Sequence, residues 1–147
     1  MERLVVISGL SGSGKSLAAK CLEDLGYFCV DNLPVALIPP FVELLQRGGG
    51  SVSRAALVVD VREGAFLHSF PGILEELRAK GAPVTLLFFE AADEALKRRF
   101  SETRRPHPML EAEGTLEQAI RAERDALAPL RERADRILDT TRFNAHE

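Results

Sequence analysis

The chain alternates between short, continuous apolar runs and segments with helical periodicity. The apolar runs predict strands at Arg3–Ile7, Tyr27–Asp31, Ala55–Val61, Val84–Glu90 and Arg136–Asp139. Strands that read as continuous apolar runs are typical of parallel sheets whose two faces are both covered by helices. The pattern therefore predicts an α/β fold built from strand–helix–strand units.

The predicted helices lie between these strands. Periodicity and terminal signals place them at Leu17–Leu25, Pro34–Arg47, Gly72–Lys80, Ala92–Thr103 and Thr115–Leu127. Pro39 and Pro40 should interrupt the second helix, because proline lacks the N–H that a helix interior needs. For the same reason, Pro129 should kink or restart the last helix. The segment Arg104–Gly114 contains two prolines and a glycine and predicts a loop.

The composition is that of one ordinary globular domain. The chain has 147 residues, of which 46% are hydrophobic and 28% charged, so intrinsic disorder is excluded as its main state. A net charge of −3 and a pI near 5.7 argue against a domain that mainly coats nucleic acid or an acidic membrane. No apolar run approaches the ~20 residues of a membrane helix, and no secretion signal is visible. We therefore expect a cytoplasmic protein without a membrane partner.

One segment carries a specific chemical signal. Residues 9–16 read Gly-Leu-Ser-Gly-Ser-Gly-Lys-Ser, which is the phosphate-binding P-loop (Walker A) pattern, placed between an apolar strand and a helix. Its glycines let successive backbone N–H groups wrap a phosphate at the helix N-terminus. Lys15 would attract the β- and γ-phosphates, and Ser16 would supply a ligand for Mg²⁺. We therefore predict a site for Mg²⁺ with ATP or GTP, formed by Gly9, Leu10, Ser11, Gly12, Ser13, Gly14, Lys15 and Ser16.

A P-loop needs an acidic partner for its metal. Asp60 ends an apolar strand, as a Walker B aspartate does, and is predicted to hold Mg²⁺ together with Ser16. Asp31, at the end of the second predicted strand, is the alternative, and in small P-loop kinases a carboxylate there faces the acceptor. Each of these aspartates also fits a simple structural role at a strand end or turn. Arg62 and Glu63 follow Asp60 at the ligand-binding edge of the sheet, where either could contact nucleotide or form a surface ion pair.

A basic segment precedes the last predicted strand. Its charged residues are Lys97, Arg98, Arg99, Arg104 and Arg105. On a P-loop scaffold a lid lies here, and its arginines neutralise charge that develops in the transition state. Arg104 and Arg105 are favoured for that role because they stand where the helix meets the loop. The alternatives are a solvated helix face and an RNA contact, although the segment has little aromatic content on which bases could stack.

The chain resembles the N-terminal domain of the bacterial RapZ/YvcJ family of P-loop nucleotide-binding proteins. The matching stretches, in order along nearly the whole chain, are Gly9–Ser16, Leu22–Pro34, Asp60–Arg62, Arg98–Arg105 and Ala134–Thr140. The second and fourth stretches are long and unusual enough to be specific. The resemblance implies an ATP site at the P-loop and a GTP-associated segment at Asp60, Val61, Arg62 and Glu63.

The resemblance also implies a nucleotide-binding regulatory domain with at most weak NTPase activity. In the RapZ branch, full-length proteins bind small regulatory RNA and an amino-sugar phosphate and act as RNase adapters. Those functions belong largely to a C-terminal domain that residues 1–147 do not include. We expect the natural protein to continue past Glu147 and to bind RNA only through that further domain. The full-length protein could also form a homo-oligomer.

Two other functions stay open. The first is a small-molecule kinase that transfers the ATP γ-phosphate to a hydroxyl acceptor, with Asp31 as the base and Arg62 or Arg105 as the anchor. The second is an RNA-binding module in its own right, which the net charge of −3 disfavours.

For the fold we expect a kinase-like P-loop NTPase domain over residues 1–147. Its predicted form is a three-layer sandwich around a five-stranded parallel sheet in the order 2-3-1-4-5. The third strand is placed beside the first because Asp60 has to reach the Mg²⁺ that Ser16 holds. Right-handed crossovers then limit the remaining arrangements.

Overall fold

The chain forms a five-stranded parallel sheet between helices. The structure, a computed structural model, describes residues 3–31, 33–47, 52–59, 69–103 and 106–142. The elements in chain order are β1 Arg3–Gly9, α1 Lys15–Asp24, β2 Phe28–Asp31, α2 Ile38–Arg47, β3 Arg54–Val58, α3 Phe70–Ala79, β4 Val84–Glu90, α4 Asp93–Thr103, α5 Leu110–Glu113, α6 Leu116–Glu132 and β5 Arg136–Asp139. The order across the sheet is β2-β3-β1-β4-β5, and all strand pairs are parallel. The predicted sheet is therefore confirmed.

Strand β1 is the centre of this sheet, between β3 and β4. Its residues 4–7 are at most 5% exposed. Leu4 and Val6 belong to the core on one face, whereas Val5 and Ile7 belong to the core on the other. This follows from the two-residue repeat of a strand, and it explains why the run is apolar at every position. The central place of β1 puts Gly9, its last residue, at the middle of the sheet's carboxyl edge.

Helices cover both faces of the sheet and make the predicted three layers. On one face, Ala18, Ala19 and Leu22 of α1 pack against the strands. The opposite face is covered by α2, α3, α4 and α6, whose fully buried side chains include Ile38, Phe70, Leu74, Leu96, Ile120 and Leu127. No helix within the described ranges is long and apolar enough to cross a membrane.

Three local predictions differ from the structure. The predicted helix Pro34–Arg47 is divided, but the break falls before the prolines, where the 3₁₀ helix Val35–Leu37 ends and α2 begins at Ile38. Pro39 and Pro40 therefore lie in the first turn of α2. Their missing N–H groups cost little there, because the first N–H groups of a helix have no intrahelical acceptor. Helix α6 contains Pro129 and runs on to Glu132 without a restart. The predicted loop Arg104–Gly114 contains the single turn α5.

The packing of β1 against β4 can be tested at Gly9. A Cβ placed on Gly9 would lie 2.2 Å from the carbonyl oxygen of Phe89, and the φ angle of Gly9 is +143°. We therefore expect Gly9→Ala to lower the free energy of unfolding by about 2–4 kcal/mol, through overpacking and backbone strain. The measurement is urea unfolding followed by circular dichroism.

Gly72→Ala is the matched control, because a Cβ on this residue of α3 would meet nothing within 4 Å. Alanine is the better helix former, so this change should leave stability unchanged or raise it by up to about 1 kcal/mol. Equal effects of the two substitutions would contradict the close approach of β1 and β4 at Gly9.

Candidate functional site

The loop between β1 and α1 has an unusual backbone. Gly9, Gly12 and Gly14 have φ angles of +143°, +84° and +108°, values that only glycine adopts readily. Gly14 directly precedes α1, and no side chain caps the N-terminus of that helix. Since aligned peptide dipoles leave partial positive charge at a helix N-terminus, the loop ends where an anion is favoured.

Two carbonyl groups of this loop accept hydrogen bonds from side chains outside the loop. The carbonyl oxygen of Gly12 accepts a hydrogen bond from Arg99 at 3.0 Å, and that of Ser13 accepts one from Thr140 Oγ1 at 2.7 Å. In a trans peptide, C=O and N–H point in opposite directions. The N–H of Gly14 therefore points away from Thr140. The N–H of Ser13 donates to the carbonyl oxygen of Leu10 at 3.1 Å. The peptide that turns its oxygen to Thr140 and its N–H the other way is therefore the one between Ser13 and Gly14, directly beside the N-terminus of α1, where an anion is favoured.

Lys15 and Ser16 lie where the loop becomes α1. Lys15 Nζ donates to the carbonyl oxygen of Gly9 at 2.7 Å, so the ammonium group lies across the loop. Ser16 is exposed and opens onto a cleft of about 240 Å³, which it lines together with Lys20, Asp31 and other residues of α1, β2 and β3. The last two residues of the motif thus bring a cation and an exposed hydroxyl group to the end of the loop.

The same cleft contains Asp31 and Cys29 of β2. Asp31 is the last residue of this strand, is exposed, and pairs in register with Val58 of β3. Cys29 is half-buried, and burial, with a smaller contribution from the Glu23 carboxylate, raises the pKa of its thiol. The cleft therefore places an exposed carboxylate on the same side as Ser16.

Several predicted site residues lie outside the described residues: Asp60, Val61, Arg62, Glu63, Arg104 and Arg105. Val59, which directly precedes Asp60, donates its N–H to the carbonyl oxygen of Ile7 at 2.9 Å. Within residues that the structure describes, no cluster of three or more His, Cys, Asp or Glu side chains could hold a metal ion. The Mg²⁺ site at Ser16 and Asp60 therefore stays a prediction.

Arg99 contacts the loop, although the sequence favoured its neighbours at 104 and 105. Besides its bond to Gly12, it donates to Thr140 Oγ1 at 3.1 Å and to the carbonyl oxygen of Thr140. Its guanidinium joins α4, the end of β5 and the loop. The charge of the segment was visible in the sequence, but the orientation of α4, which decides which arginine faces the loop, was not.

Glu123 is a second contact that the sequence analysis missed. This residue of α6 is 0% exposed, and its carboxylate accepts hydrogen bonds from both the N–H and the hydroxyl of Ser11. His107 Nε2 lies 3.0 Å from the same carboxylate. The available signal was a glutamate inside the apolar stripe of α6, whose other buried members are Ala119, Ile120, Leu127 and Leu130.

Comparison with known proteins places the chain in a family. The model of the RapZ-like N-terminal domain matches residues 2–147. The chain belongs to this family. Similar curated proteins include nucleotide-binding proteins of Anaeromyxobacter sp. strain K, 54% identical over 145 residues, and of Streptomyces coelicolor, 52% identical over 147 residues. The matches cover 99% and 100% of this chain and 49% of each relative. This RapZ-like domain thus spans about half the length of its curated relatives.

Solved structures share the fold at low identity. A shikimate kinase from Bacteroides thetaiotaomicron superimposes with a TM-score of 0.54 at 17% identity, covering 92% of this chain and 85% of the kinase. A gluconokinase from Sinorhizobium meliloti gives a TM-score of 0.54 at 14% identity, covering 94% of this chain and 81% of that protein. The RapZ-like domain therefore has a P-loop kinase fold.

The role of Arg99 in holding the loop can be tested by stability. We expect Arg99→Ala to lower the free energy of unfolding by about 1–3 kcal/mol, because it removes charged hydrogen bonds to two backbone carbonyl groups. The exposed neighbour Arg98 provides the control, since Arg98→Ala should change stability by no more than about 0.5 kcal/mol. Urea unfolding of both variants measures the difference. Equal losses would show that Arg99 acts only as surface charge.

Proposed function

We propose that this RapZ-like domain binds Mg²⁺ with ATP or GTP at residues 9–16 and works as a regulatory nucleotide-binding domain. The observation that carries the proposal is the loop geometry: the carbonyl oxygens of Gly12 and Ser13 are bonded from outside. The bond from Thr140 thereby turns the N–H of Gly14 to the opposite side, beside the N-terminus of α1, where an anion is favoured. The nucleotide-binding names of the relatives support the same ligand class.

In this proposal each loop residue has a defined task. Backbone N–H groups of Gly12, Gly14, Lys15 and Ser16 bind the phosphates. Lys15 moves from the Gly9 carbonyl to the β- and γ-phosphates. Mg²⁺, held by Ser16 and Asp60, neutralises phosphate charge when it is bound. Asp60, Val61, Arg62 and Glu63 form the GTP-associated segment, and Arg104 and Arg105 form the lid.

Hydrolysis should be slow or absent. Among the residues that the structure describes, the buried carboxylate in contact with the loop belongs to Glu123, and both of its oxygen atoms accept hydrogen bonds from Ser11. It is therefore not placed to orient an attacking water, which NTPases achieve with a dedicated residue. A domain that retains its triphosphate suits a switch that reports nucleotide state to the other half of the longer protein. Any RNA binding would belong to that half, in a cytoplasmic protein whose oligomeric state is set at full length.

The direct test is to measure equilibrium binding of ATP and GTP by titration calorimetry, with and without Mg²⁺. Lys15→Ala should weaken Mg-nucleotide binding at least about tenfold, because a desolvated charge contact with phosphate is lost. The control is Lys80→Ala, which removes an exposed lysine paired with Glu76 at the end of α3. Its affinity should match that of the wild type. Failure of the folded wild-type domain to bind either nucleotide would overturn the proposal.

A second candidate function rests on the cleft beside Ser16. Asp31 and Lys20 line a space of about 240 Å³, a suitable place for a small hydroxyl compound. Asp31 would accept the hydroxyl proton while the acceptor oxygen bonds to the γ-phosphorus and the bond to the ADP oxygen breaks. With this reaction in the cleft, the RapZ-like domain would be a small-molecule kinase.

Product analysis separates the two functions. The domain is incubated with Mg-ATP and a panel of hydroxyl compounds and nucleosides, and products are read by ³¹P NMR. The regulatory proposal expects no transfer from wild type or Asp31→Asn. Stoichiometric transfer that Asp31→Asn abolishes would establish the kinase instead.

Alkylation of the two cysteines gives a second readout. A ligand in the cleft should slow labelling of Cys29, which lines it, and leave labelling of the exposed Cys21 unaffected.

A further inference from the structure

A buried carboxylate on α6 holds the phosphate-binding loop at one residue. Glu123 Oε1 accepts the N–H of Ser11 at 2.8 Å, and Oε2 accepts its hydroxyl at 2.5 Å. Two charge-assisted bonds to the main chain and the side chain of one residue fix its orientation as well as its position. The orientation of Ser11 is thus set by α6 in addition to the loop's own backbone.

His107 completes this contact. Its side chain is fully buried. Its Nδ1 accepts the N–H of Met109 at 3.0 Å, and its Nε2 lies 3.0 Å from Glu123 Oε1. Because Nδ1 is an acceptor, Nε2 is the nitrogen that donates to the carboxylate. The ring also packs against Phe100, with 5.2 Å between ring centroids, and Phe100 lies 3.4 Å from the position of a Cβ on Gly12.

A purely structural role does not explain Glu123. The residue occupies the apolar stripe of α6, between Ile120 and Leu127, which are both in the core. Burying a carboxylate is costly, and an apolar side chain of similar size often gives equal or greater stability. What an apolar side chain cannot do is bind the two donors of Ser11.

The part of α6 that carries Glu123 is bonded to neighbouring elements. Next to it, Arg124 donates to the carbonyl oxygen of Ala91 at 2.7 Å and to the carboxylate of Asp93. Glu123 therefore holds Ser11 from a helix fixed to the end of β4 and the start of α4. Arg99 and Thr140 hold the next two residues of the loop through their carbonyl groups.

We propose that Glu123, supported by His107, is a positioning residue that keeps the P-loop in its anion-binding shape before a ligand arrives. The effect on affinity rests on the proposed nucleotide-binding function, whereas the effect on loop order does not. The link through His107 and Phe100 also joins the loop to the segment that follows α4.

Two measurements on Glu123→Gln test the proposal, both made where circular dichroism shows the variant folded. We expect the Ser11 amide to exchange with solvent at least about tenfold faster, because its acceptor is lost or reoriented. We expect Mg-ATP to bind about tenfold more weakly, since the loop must be ordered on binding. Asp125→Asn, at an exposed position of the same helix, should change neither quantity.

Two further variants separate positioning from stability. Glu123→Leu should fold at least as stably as Glu123→Gln and still bind Mg-ATP weakly, because volume is kept and the contacts to Ser11 are lost. His107→Gln, which can still donate to Glu123, should bind Mg-ATP more tightly than His107→Ala.

The outcomes are distinguishable. If the wild type binds Mg-ATP and folded Glu123→Gln binds it within twofold, the positioning proposal is overturned whatever the exchange rate of Ser11. If the wild type binds no nucleotide, the proposed function fails. In that case faster exchange at Ser11 supports the positioning role, and an unchanged rate overturns it.

Discussion

The geometry of this domain depends on the close packing of β1 against its neighbours. Because β1 is buried on both faces and paired on both sides, its last residue meets the carbonyl oxygen of Phe89 at a distance that excludes any side chain. The chain has to leave the sheet there through glycine. The turn that follows, the start of α1 and the cleft beside Ser16 all take their positions from that exit.

Three elements distant in sequence then shape the loop. Helix α6 binds Ser11 through Glu123, α4 binds Gly12 through Arg99, and Thr140 at the end of β5 binds Ser13. Two of these contacts engage carbonyl oxygens, which would repel an anion, and the third engages the N–H and the hydroxyl of Ser11. The fold therefore does more than place a glycine-rich sequence at a strand end, because contacts from three elements fix three consecutive residues of the loop.

The sequence predicted the strands and the P-loop because both follow from strong local patterns: continuous apolar runs mark buried parallel strands. The sheet order came from a chemical requirement, since Asp60 has to reach the Mg²⁺ at Ser16, together with the handedness of crossovers. The sequence did not predict that Pro39 and Pro40 would lie in the first turn of α2, because the preceding 3₁₀ turn decides that this helix begins at Ile38. Arg99 was named in the basic segment but ranked below Arg104 and Arg105, and Glu123 was missed. Both have the same cause: which face of α4 and α6 meets the loop is decided by tertiary packing.

The most direct test of this account is an NMR titration of the domain labelled with ¹⁵N at its eleven glycines. Gly12 and Gly14 belong to the loop, whereas Gly72 and Gly81 lie at the ends of α3. Addition of Mg-ATP should shift the amide resonances of Gly12 and Gly14 saturably and leave those of Gly72 and Gly81 in place. Saturable shifts confined to other glycines, or no shifts at all in the folded domain, would contradict the assignment of the loop as the nucleotide site.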